Sequence, residues 1–543
     1  PAARVDADGR DLQWRYDATG RHAATLAGGR VLSQVSRDHA ARSYTVVSGE
    51  DSDALRWDEL GRLVERRRDG RTVRWRYDAD GLRTSMTRPD GTVTRYEYDT
   101  DERVSAVEHP GLGRAEIARD ELGRITAVTA PGVRAEWVWQ GGGVVAQRLE
   151  RNGFVRTTRL ERDRDGRVTA QTVDGVRTVF GYDAAGQLVR AVSGEGIVTE
   201  FEWDPNGRLT GQTSGGRRTG YGYDASGQLT WMRRPDGGQV EYTHDGAGRR
   251  TGERDDDGRS RMFDWDPHGF LERITTTGTS GPATVTELQT DGLGGLAQIN
   301  DQQIAWDDPW GGAPIQVGDV PIVDVGAGLG VGGPAGGWLL PDRAGHDAGA
   351  GPWEPGADGF GLGGGLGLSS TGTLGVDGLA LTGARAYDPA TAGFLSPDPL
   401  PPVLGAGWAA NPYSYAGNDP VNLSDPAGLR PLTDADLNAW RDQHTTGLAA
   451  AGDWIGDNWE YIAAGAAVAA GVALMCTGVG AGAGLGLMAA SGALMSGGVS
   501  IAAQKASNGS VDWGRVGIDT AIGAVSGLAG GGAYAGVRAA TES

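Results

Sequence analysis

Apolar and polar positions alternate through the first half of the chain, and one short pattern interrupts this alternation at regular intervals. Two aromatic residues, one position apart, precede an aspartate that is followed three residues later by glycine. The pattern returns every 20 or 21 residues. A fixed period of this length is typical of a fold built from one repeated unit. Clear copies end at Tyr77-Asp78, Tyr182-Asp183, Trp203-Asp204, Tyr223-Asp224 and Trp265-Asp266.

The repeated unit has the features of a β-hairpin. Side chains two residues apart lie on the same face of a strand, so the paired aromatic residues share a face. Asp-x-x-Gly suits a tight turn, because aspartate bonds to its own backbone and glycine accepts a positive φ. One hairpin cannot bury its aromatic face alone, whereas stacked neighbours can. We therefore predict a mainly β fold, with a long spiralling antiparallel sheet of these hairpins.

The turn aspartates are also of a type that binds calcium. Each turn supplies one regular carboxylate, whereas Ca²⁺ takes about six to eight oxygen ligands. We therefore interpret Asp-x-x-Gly as turn chemistry and predict no metal site and no cofactor. The net charge of −20 argues against a nucleic-acid-binding surface. The single cysteine, Cys476, excludes an internal disulfide framework.

Composition divides the chain into four predicted regions. The period is clear in the first, fades into Thr- and Gly-rich sequence in the second, and gives way to specific motifs in the third. Within the second region, glycine is so dense over 325–372 that irregular loops are expected there. The last region is rich in Ala and Gly and is predicted to be α-helical. The four regions are residues 1–271, 272–372, 373–429 and 430–543.

The third region carries the candidate chemistry. It contains R-x-Y-D-P from Arg385, F-L-S-P-D-P from Phe394, N-x-Y-x-Y from Asn411 and a terminal D-P-x-G-L from Asp425. Together with the aromatic-Asp repeats, these motifs closely resemble Rhs/YD-repeat proteins and their C-terminal Rhs core. The resemblance covers residues 1–429. The chain is also similar to the C component of insecticidal toxin complexes and to the YD shells of teneurin-like proteins.

The resemblance implies both an architecture and a reaction. In that family the repeats wind into a hollow shell around a C-terminal polypeptide, usually a toxin. The core plugs the shell and cuts the chain after its last leucine by an aspartyl-type reaction. Carried over to the matching positions, the implied catalytic residues are Arg385, Asp398 and Asp425. The implied scissile bond joins Leu429 to Arg430, and the expected enzymatic activity is this single-turnover autoproteolysis only.

Elementary chemistry is compatible with that assignment. Two neighbouring carboxylates do not both ionise readily, so one can activate water while the other protonates the leaving amide. A guanidinium can hold a carboxylate or stabilise an oxyanion. The residues alone also fit a structural interpretation, because Asp-Pro commonly starts turns and Arg385 could be a surface ion-pair residue. Two departures from the family predict slower cleavage: Ala392-Gly393-Phe394 replaces Gly-Arg-Phe, and an insertion occupies 401–410.

The fourth region lacks the signs of a catalytic toxin. Residues 430–543 hold no paired His/Asp metal constellation, no Ser-His-Asp set and no phosphate-binding Gly-Lys-Ser/Thr loop. No charged side chain lies within 461–504. That length would allow two membrane-crossing helices of about 20 residues, but closely spaced small residues also suit a packed helical hairpin. We favour the hairpin, keep membrane contact by 461–504 as the alternative, and interpret the region as a pre-toxin or translocation helper.

The predicted function is that of a secreted polymorphic-toxin carrier, cell wall-associated or at the cell surface and acting in interbacterial competition. Its expected partners are the enclosed C-terminal polypeptide, an immunity protein and secretion machinery. No signal peptide is visible and Pro1 falls within a repeat, so a fragment is expected, with about 13 repeats forming an incomplete wall. The alternative is a non-cleaving adhesion or carbohydrate-binding scaffold, for which the aromatic side chains should be exposed.

Overall fold

The structure is a computed structural model in which the chain forms two compact units. Among the described residues, one unit comprises those of 1–70 with 406, and the other comprises those of 71–402 and 407–433. The predicted helical region, including 461–504, lies outside the described residues except for its first few positions. The described residues are 3–433 without 6–10, 19–21, 39, 50, 142, 292–294, 309–310, 334–335, 342–352, 354–359, 384, 401–405, 426 and 430.

The first unit is a set of short antiparallel strands in chain order. Each strand from β1 to β6 pairs with the next, the last pair being β6 with β7. A buried ion pair joins two of them, with Arg66 and Asp53 2.6 Å apart and almost fully shielded from solvent. The strands are β1 (Ala3–Val5), β2 (Asp11–Tyr16), β3 (His22–Ala27), β4 (Arg30–Asp38), β5 (Ser43–Ser48), β6 (Asp51–Trp57) and β7 (Leu63–Arg68).

The second unit contains a long antiparallel sheet in which each strand again pairs with the next in the chain. The prediction of a mainly β fold made of sequential hairpins is therefore confirmed. Most strands have five to nine residues. They are β8 (Arg71–Tyr77), β9 (Arg83–Thr87), β10 (Val93–Tyr98), β11 (Val104–His109), β12 (Gly113–Arg119), β13 (Ile125–Ala130), β14 (Val133–Gln140), β15 (Gly143–Arg151), β16 (Phe154–Arg162), β17 (Val168–Val173), β18 (Val176–Tyr182), β19 (Leu188–Val192), β20 (Val198–Trp203), β21 (Leu209–Ser214), β22 (Arg217–Tyr223), β23 (Leu229–Arg233), β24 (Gln239–His244), β25 (Arg250–Asp255), β26 (Ser260–Trp265), β27 (Leu271–Thr277), β28 (Thr284–Thr290), β29 (Leu296–Ile299), β30 (Gln302–Asp308), β31 (Gly311–Val317), β32 (Val320–Asp324), β33 (Leu329–Val331) and β34 (Gly337–Leu339).

The Asp-x-x-Gly segments form turns that are closed by their own aspartate. At Asp204 the backbone carbonyl accepts the Gly207 N–H, and Oδ1 accepts the N–H groups of Asn206 and Arg208 at 2.9 and 3.0 Å. Arg208 Nε also donates to Asp204 Oδ2. Burial alone would raise the pKa of this carboxyl, but its hydrogen bonds outweigh burial and hold the pKa below its usual value. The same backbone and Oδ1 bonds recur at Asp58, Asp78, Asp120, Asp163, Asp183, Asp224 and Asp245.

In several repeats the second aromatic residue links neighbouring hairpins through its polar group. Tyr223 Oη donates to the Leu209 carbonyl at 2.8 Å, and Trp203 Nε1 donates to the Leu188 carbonyl at 2.8 Å. Both acceptors are the first residue of an earlier strand. A β-bulge lies immediately before each of these aromatics, where the strand register shifts by one residue. The bulge turns the ring so that its apolar body stays packed while its donor reaches a backbone acceptor.

The strand position that follows each turn is apolar in most repeats of the second unit. Two arginines, Arg83 and Arg250, occupy it instead, and both are buried. Each pairs with an aspartate from a distant segment: Arg83 with Asp307, and Arg250 with Asp388 at 2.6 Å. The apolar residues at this position are Val104, Ile125, Val168, Leu188, Leu209, Leu229, Leu271 and Leu296.

Later parts of the second unit cover the apolar face of the long sheet. A second, six-stranded sheet packs in one cluster with Phe263 and Ile274 of the long sheet. Phe201 and Tyr221 pack in another cluster with residues of the motif-rich segment. The first aromatic residue is therefore buried in many repeats, while the second is mostly half-buried. The second sheet consists of β35 (Phe360–Gly363), β36 (Leu366–Leu368), β37 (Leu374–Val376), β38 (Leu379–Thr382), β39 (Arg385–Asp388) and β40 (Gly393–Phe394).

The expectation of irregular loops over 325–372 is wrong for part of that stretch. Strands β33 to β36 lie within it, because apolar residues such as Leu329 and Val331 alternate with glycine and can pack on one face. Trp353 is also anchored there. Its buried ring meets Phe201 edge-on at 5.7 Å, and its backbone carbonyl accepts the Tyr387 hydroxyl at 2.7 Å.

Candidate active site

The three predicted catalytic side chains come from separate pieces of the motif-rich segment, and backbone pairing brings these pieces together. Arg385 opens β39, where it is paired with Thr382 at the end of β38. Beyond β40, the Asp398 N–H donates to the Pro412 carbonyl at 2.8 Å. The same carbonyl accepts Arg385 NH1 at 3.0 Å. The Pro412 carbonyl therefore bonds to both Arg385 and the Asp398 backbone and holds the two residues near each other.

One nitrogen of Arg385 faces both carboxylates. NH2 lies 3.3 Å from Asp398 Oδ2 and 3.4 Å from Asp425 Oδ2. The side chains of Arg385 and Asp425 are 2% and 1% exposed, and that of Asp398 is 13% exposed. Two carboxylates sharing one guanidinium in such a shielded place interact strongly, because little water screens them. The structure thus brings together all three residues that the resemblance implied.

Two further contacts hold the Arg385 guanidinium in place, one with an aromatic ring and one with the segment predicted to be cut. Its guanidinium carbon lies 3.6 Å from the centre of the Phe394 ring, within cation–π range. Phe394 in turn packs against Tyr387 and Tyr415. Arg385 Nε donates to the Gly428 carbonyl. The guanidinium therefore touches the segment predicted to be cut as well as both carboxylates.

Asp425 opens a turn of the same type as the repeat turns. Its backbone carbonyl accepts the Gly428 N–H at 3.2 Å, and Oδ1 accepts the Leu429 N–H at 2.8 Å. These match the bonds from Asp204 to Gly207 and Arg208. In the repeat turn, an arginine four residues later binds Oδ2, whereas at Asp425 that role falls to Arg385. The predicted cleavage sequence therefore contains an Asp-x-x-Gly turn like those of the repeats, but its aspartate is buried.

Tyr415 lies beside the Asp425 turn and is fully enclosed. Burial, followed by the nearby Asp425 carboxylate, raises the pKa of the Tyr415 hydroxyl. The hydroxyl therefore stays neutral at physiological pH and adds no charge to the pair. Leu429 is described, while Arg430, on the other side of the predicted scissile bond, lies outside the described residues. Within the described part, no group of three or more His, Cys, Asp or Glu side chains could hold a metal ion.

The motif-rich segment docks on the turns of the long sheet through residues that sequence reasoning did not single out. Asn411 and Asn418 each donate an amide hydrogen to the Gly207 carbonyl, at 3.0 and 2.8 Å. Tyr413 Oη donates to the Gly248 carbonyl at 2.7 Å. The sequence signal that could have identified this docking surface is the close spacing of three asparagines, at 411, 418 and 422.

Asn422 completes the docking surface and holds a second buried aspartate. Its Oδ1 accepts the Val168 N–H at 2.7 Å, and its amide nitrogen lies 2.9 Å and 2.8 Å from the two carboxyl oxygens of Asp419. Burial raises the pKa of Asp419 to about 7 despite these bonds. Asp419 is held by Asn422, which bonds to the long sheet, and we therefore interpret it as a docking group.

Comparisons with known proteins support the repeat assignment. The model of the family described as RHS Repeat matches residues 57–93, 77–115, 162–198, 203–239 and 223–260. Among curated proteins, none matches the chain. No helix within the described part of the chain is long and apolar enough to cross a membrane.

Several solved structures are similar to the chain at low sequence identity. The crystal structure of TcdB2-TccC3-Cdc42 is 14% identical, with a TM-score of 0.33, covering 81% of this chain and 35% of that one. For TcdB2-TccC3-TEV the values are 14%, 0.31, 78% and 34%. For a Photorhabdus luminescens Tc holotoxin pore with a TccC3 mutation they are 13%, 0.24, 78% and 34%. The chain thus spans about a third of the length of these solved chains.

Proposed function

We propose that this RHS-repeat protein is a toxin carrier whose repeats enclose a C-terminal polypeptide, and whose core segment cuts the chain once between Leu429 and Arg430. One observation carries the proposal. Arg385 contacts Asp398, Asp425 and the Gly428 carbonyl in a shielded place, while Leu429 donates its amide to Asp425. A purely structural ion pair needs one carboxylate, and placing two beside the same guanidinium suits acid–base chemistry.

The proposed reaction is the hydrolysis of one peptide bond. One carboxylate accepts a proton from water, and the resulting hydroxide attacks the carbonyl carbon of Leu429. The other carboxyl group donates its proton to the departing nitrogen of Arg430. The C–N bond breaks, leaving a carboxylate on Leu429 and an amine on Arg430, with one water consumed. Arg385 keeps the carboxylates adjacent and offsets the negative charge that develops on the carbonyl oxygen.

The carrier role rests on the RHS repeats and on the burial of their aromatic residues. Four of the first aromatics, Phe180, Phe201, Tyr221 and Phe263, are at most 7% exposed. An adhesion or carbohydrate-binding scaffold would need such rings at the surface, so their burial argues against that alternative. We therefore assign the protein to a secreted or cell-surface location, with the released C-terminal polypeptide, an immunity protein and secretion machinery as its partners.

Intact-mass measurement of the purified chain tests the cleavage. The parent should give two fragments that divide after Leu429 and whose masses sum to the chain plus one water. Asp425→Asn and Asp398→Asn should each give one uncut chain. Asp204→Asn is the matched control, because Asp204 makes the same turn bonds without a second carboxylate. A folded but uncut parent, or cleavage that survives in both aspartate variants, would refute the proposed reaction.

Limited proteolysis tests the enclosure separately. After cleavage, the fragment beginning at Arg430 should copurify with the rest of the chain and resist an added protease until denaturant is present. The same fragment released by denaturant and then returned to buffer is the control. Rapid digestion of the fragment in the native complex would contradict enclosure while leaving the cleavage reaction intact.

A further inference from the structure

Two glycines lie where the predicted cleavage segment passes the turn before Arg385. Gly383 lies in the turn between β38 and β39 with φ of 50°, and Gly428 lies in the Asp425 turn with φ of 64°. Both values are in the left-handed region, which side chains disfavour. The two glycines therefore allow backbone conformations that most residues would strain. Their surroundings impose a further and stronger restriction.

Each glycine lacks the room for a side chain because backbone of the opposite segment fills that space. A Cβ on Gly383 would lie 2.6 Å from the Ala427 carbonyl oxygen and 3.1 Å from Ala427 Cα. A Cβ on Gly428 would press against the Thr382 carbonyl oxygen and lie 3.0 Å from the Arg385 nitrogen. Backbone atoms cannot rotate away as a flexible side chain can, so one of the two segments would have to move.

We infer that this close packing of the two glycine-containing segments sets the position of the scissile bond, with Gly383 as a positioning residue and Gly428 as the specificity-determining residue of the cut segment. The inference deepens the proposed function and rests on it. The same short turn presents Arg385, so the packing fixes the arginine and the cleaved segment relative to each other. The site accepts only a residue without a side chain at the position immediately before Leu429.

The hydrogen bonds of the segment show why a small displacement matters. The Gly428 carbonyl accepts from Arg385 Nε, and the next amide, that of Leu429, donates to Asp425 Oδ1 at 2.8 Å. A methyl group on Gly428 would collide with the Thr382 carbonyl and displace the Gly428 and Leu429 groups that make these two bonds. Displacement of a reacting group by about 1 Å lowers a rate by about 100-fold.

Self-cleavage kinetics after cell-free synthesis provide the first test. Gly428→Ala and Gly383→Ala should each slow the appearance of the two fragments by about 100-fold. Gly364→Ala is the matched control. Gly364 has φ of 61°, close to that of Gly428, but no atom lies within 4 Å of its added Cβ. The control thus carries the same backbone strain without the clash, and its rate should stay within about twofold of the parent.

Hydrogen exchange in an uncut background provides the second test and does not depend on cleavage. In the Asp398→Asn chain, the Leu429 amide should exchange slowly, because Asp425 holds it. Adding Gly428→Ala should raise that exchange rate by about tenfold or more, and adding Gly364→Ala should not.

The outcomes separate the two claims. A folded parent that never cuts would refute the proposed function, while the exchange measurement would still decide the packing of the two glycine-containing segments. Cleavage of Gly428→Ala at the parent's rate would overturn the inference. So would slow cleavage in that variant with unchanged exchange of the Leu429 amide, because the loss would then not act through the position of the segment.

Discussion

The buried pair of Arg250 and Asp388 should be the strongest single attachment of the motif-rich segment to the long sheet. The two side chains are 3% and 2% exposed, and NH1 lies 2.6 Å from Asp388 Oδ2. NH2 donates to Thr391 Oγ1 at 3.1 Å, while Nε has no hydrogen-bond partner among the described residues. The guanidinium also stacks on the Tyr242 ring at 4.5 Å. Asp388→Asn would remove the negative charge and leave the cation enclosed.

The size of the effect follows from the burial. Removing one partner of a buried ion pair costs about 3 to 5 kcal/mol, because the remaining charge is left without compensation. Glu253 lies 3.6 Å from Arg250 and offsets part of that charge, so we expect a value near about 3 kcal/mol. Replacing both partners by leucine should cost much less, because similar apolar volume refills the site. Leucine already stands at this position in half of these repeats, at 188, 209, 229, 271 and 296.

Native-state hydrogen exchange is the suitable assay, because a chain of two units need not unfold in one step. The Arg250 amide donates to the Leu395 carbonyl at 2.8 Å, so its exchange reports the opening of this contact. A loss of about 3 kcal/mol would speed that exchange by about 150-fold. The Asp388→Leu and Arg250→Leu single variants and the Arg250→Leu/Asp388→Leu double variant form the cycle, and Asp388→Asn is measured beside them. An acceleration below about fivefold in Asp388→Asn, or additive losses in the double variant, would refute the reasoning.

Three further outcomes are expected. Asp419 has a pKa of about 7 in the folded state against an ordinary 3.8. Its contribution to the free energy of unfolding is therefore most favourable below about pH 4 and falls as the pH rises to 7. Asp419→Asn should abolish that fall, which urea melts at pH 5 and 8 would show. Gly207→Ala should weaken docking by about 1 to 3 kcal/mol, since its Cβ would lie 2.8 Å from a backbone oxygen at 407, whereas Gly186→Ala meets no atom within 4 Å. Equal melting of these two variants would contradict the clash. Tyr223→Phe should cost about 1 kcal/mol by leaving the Leu209 carbonyl without its donor, and an unchanged urea midpoint would count against that link.

The repeat fold was predictable because its determinants are local. An aspartate closes its own turn at Asp204, and Gly207 supplies the positive φ, so a few neighbouring residues decide the hairpin. The β-bulge before Trp203 was not predicted, since it depends on the acceptor at Leu188 one hairpin away. The loops expected in the glycine-rich stretch were partly wrong because alternate apolar residues packed against a sheet that the local sequence does not reveal.

The candidate site was predictable only through family resemblance. Spacing alone could not show that Asp398 and Asp425 meet at Arg385, because the meeting depends on backbone pairing at Pro412 and on the turn before Arg385. The docking contacts are harder still. Asn418 reaches Gly207 across more than two hundred residues of chain, and its partner is a backbone carbonyl that carries no sequence signature.

Arg83 and Arg250 occupy the strand position after the turn that is apolar in most repeats, and this has a consequence for how such a chain could evolve. Repeats of 20 or 21 residues offer nearly identical backbone acceptors at every turn, so a docked segment could settle one repeat too early or too late. Arg83 and Arg250 mark single positions, because they are the two arginines at the strand position that follows the turns of the second unit, and each pairs with an aspartate from a distant segment. Gain or loss of repeats before Arg83 would leave both positions unchanged. Wall length could then vary among descendants without misplacing the segment that carries Asp398 and Asp425.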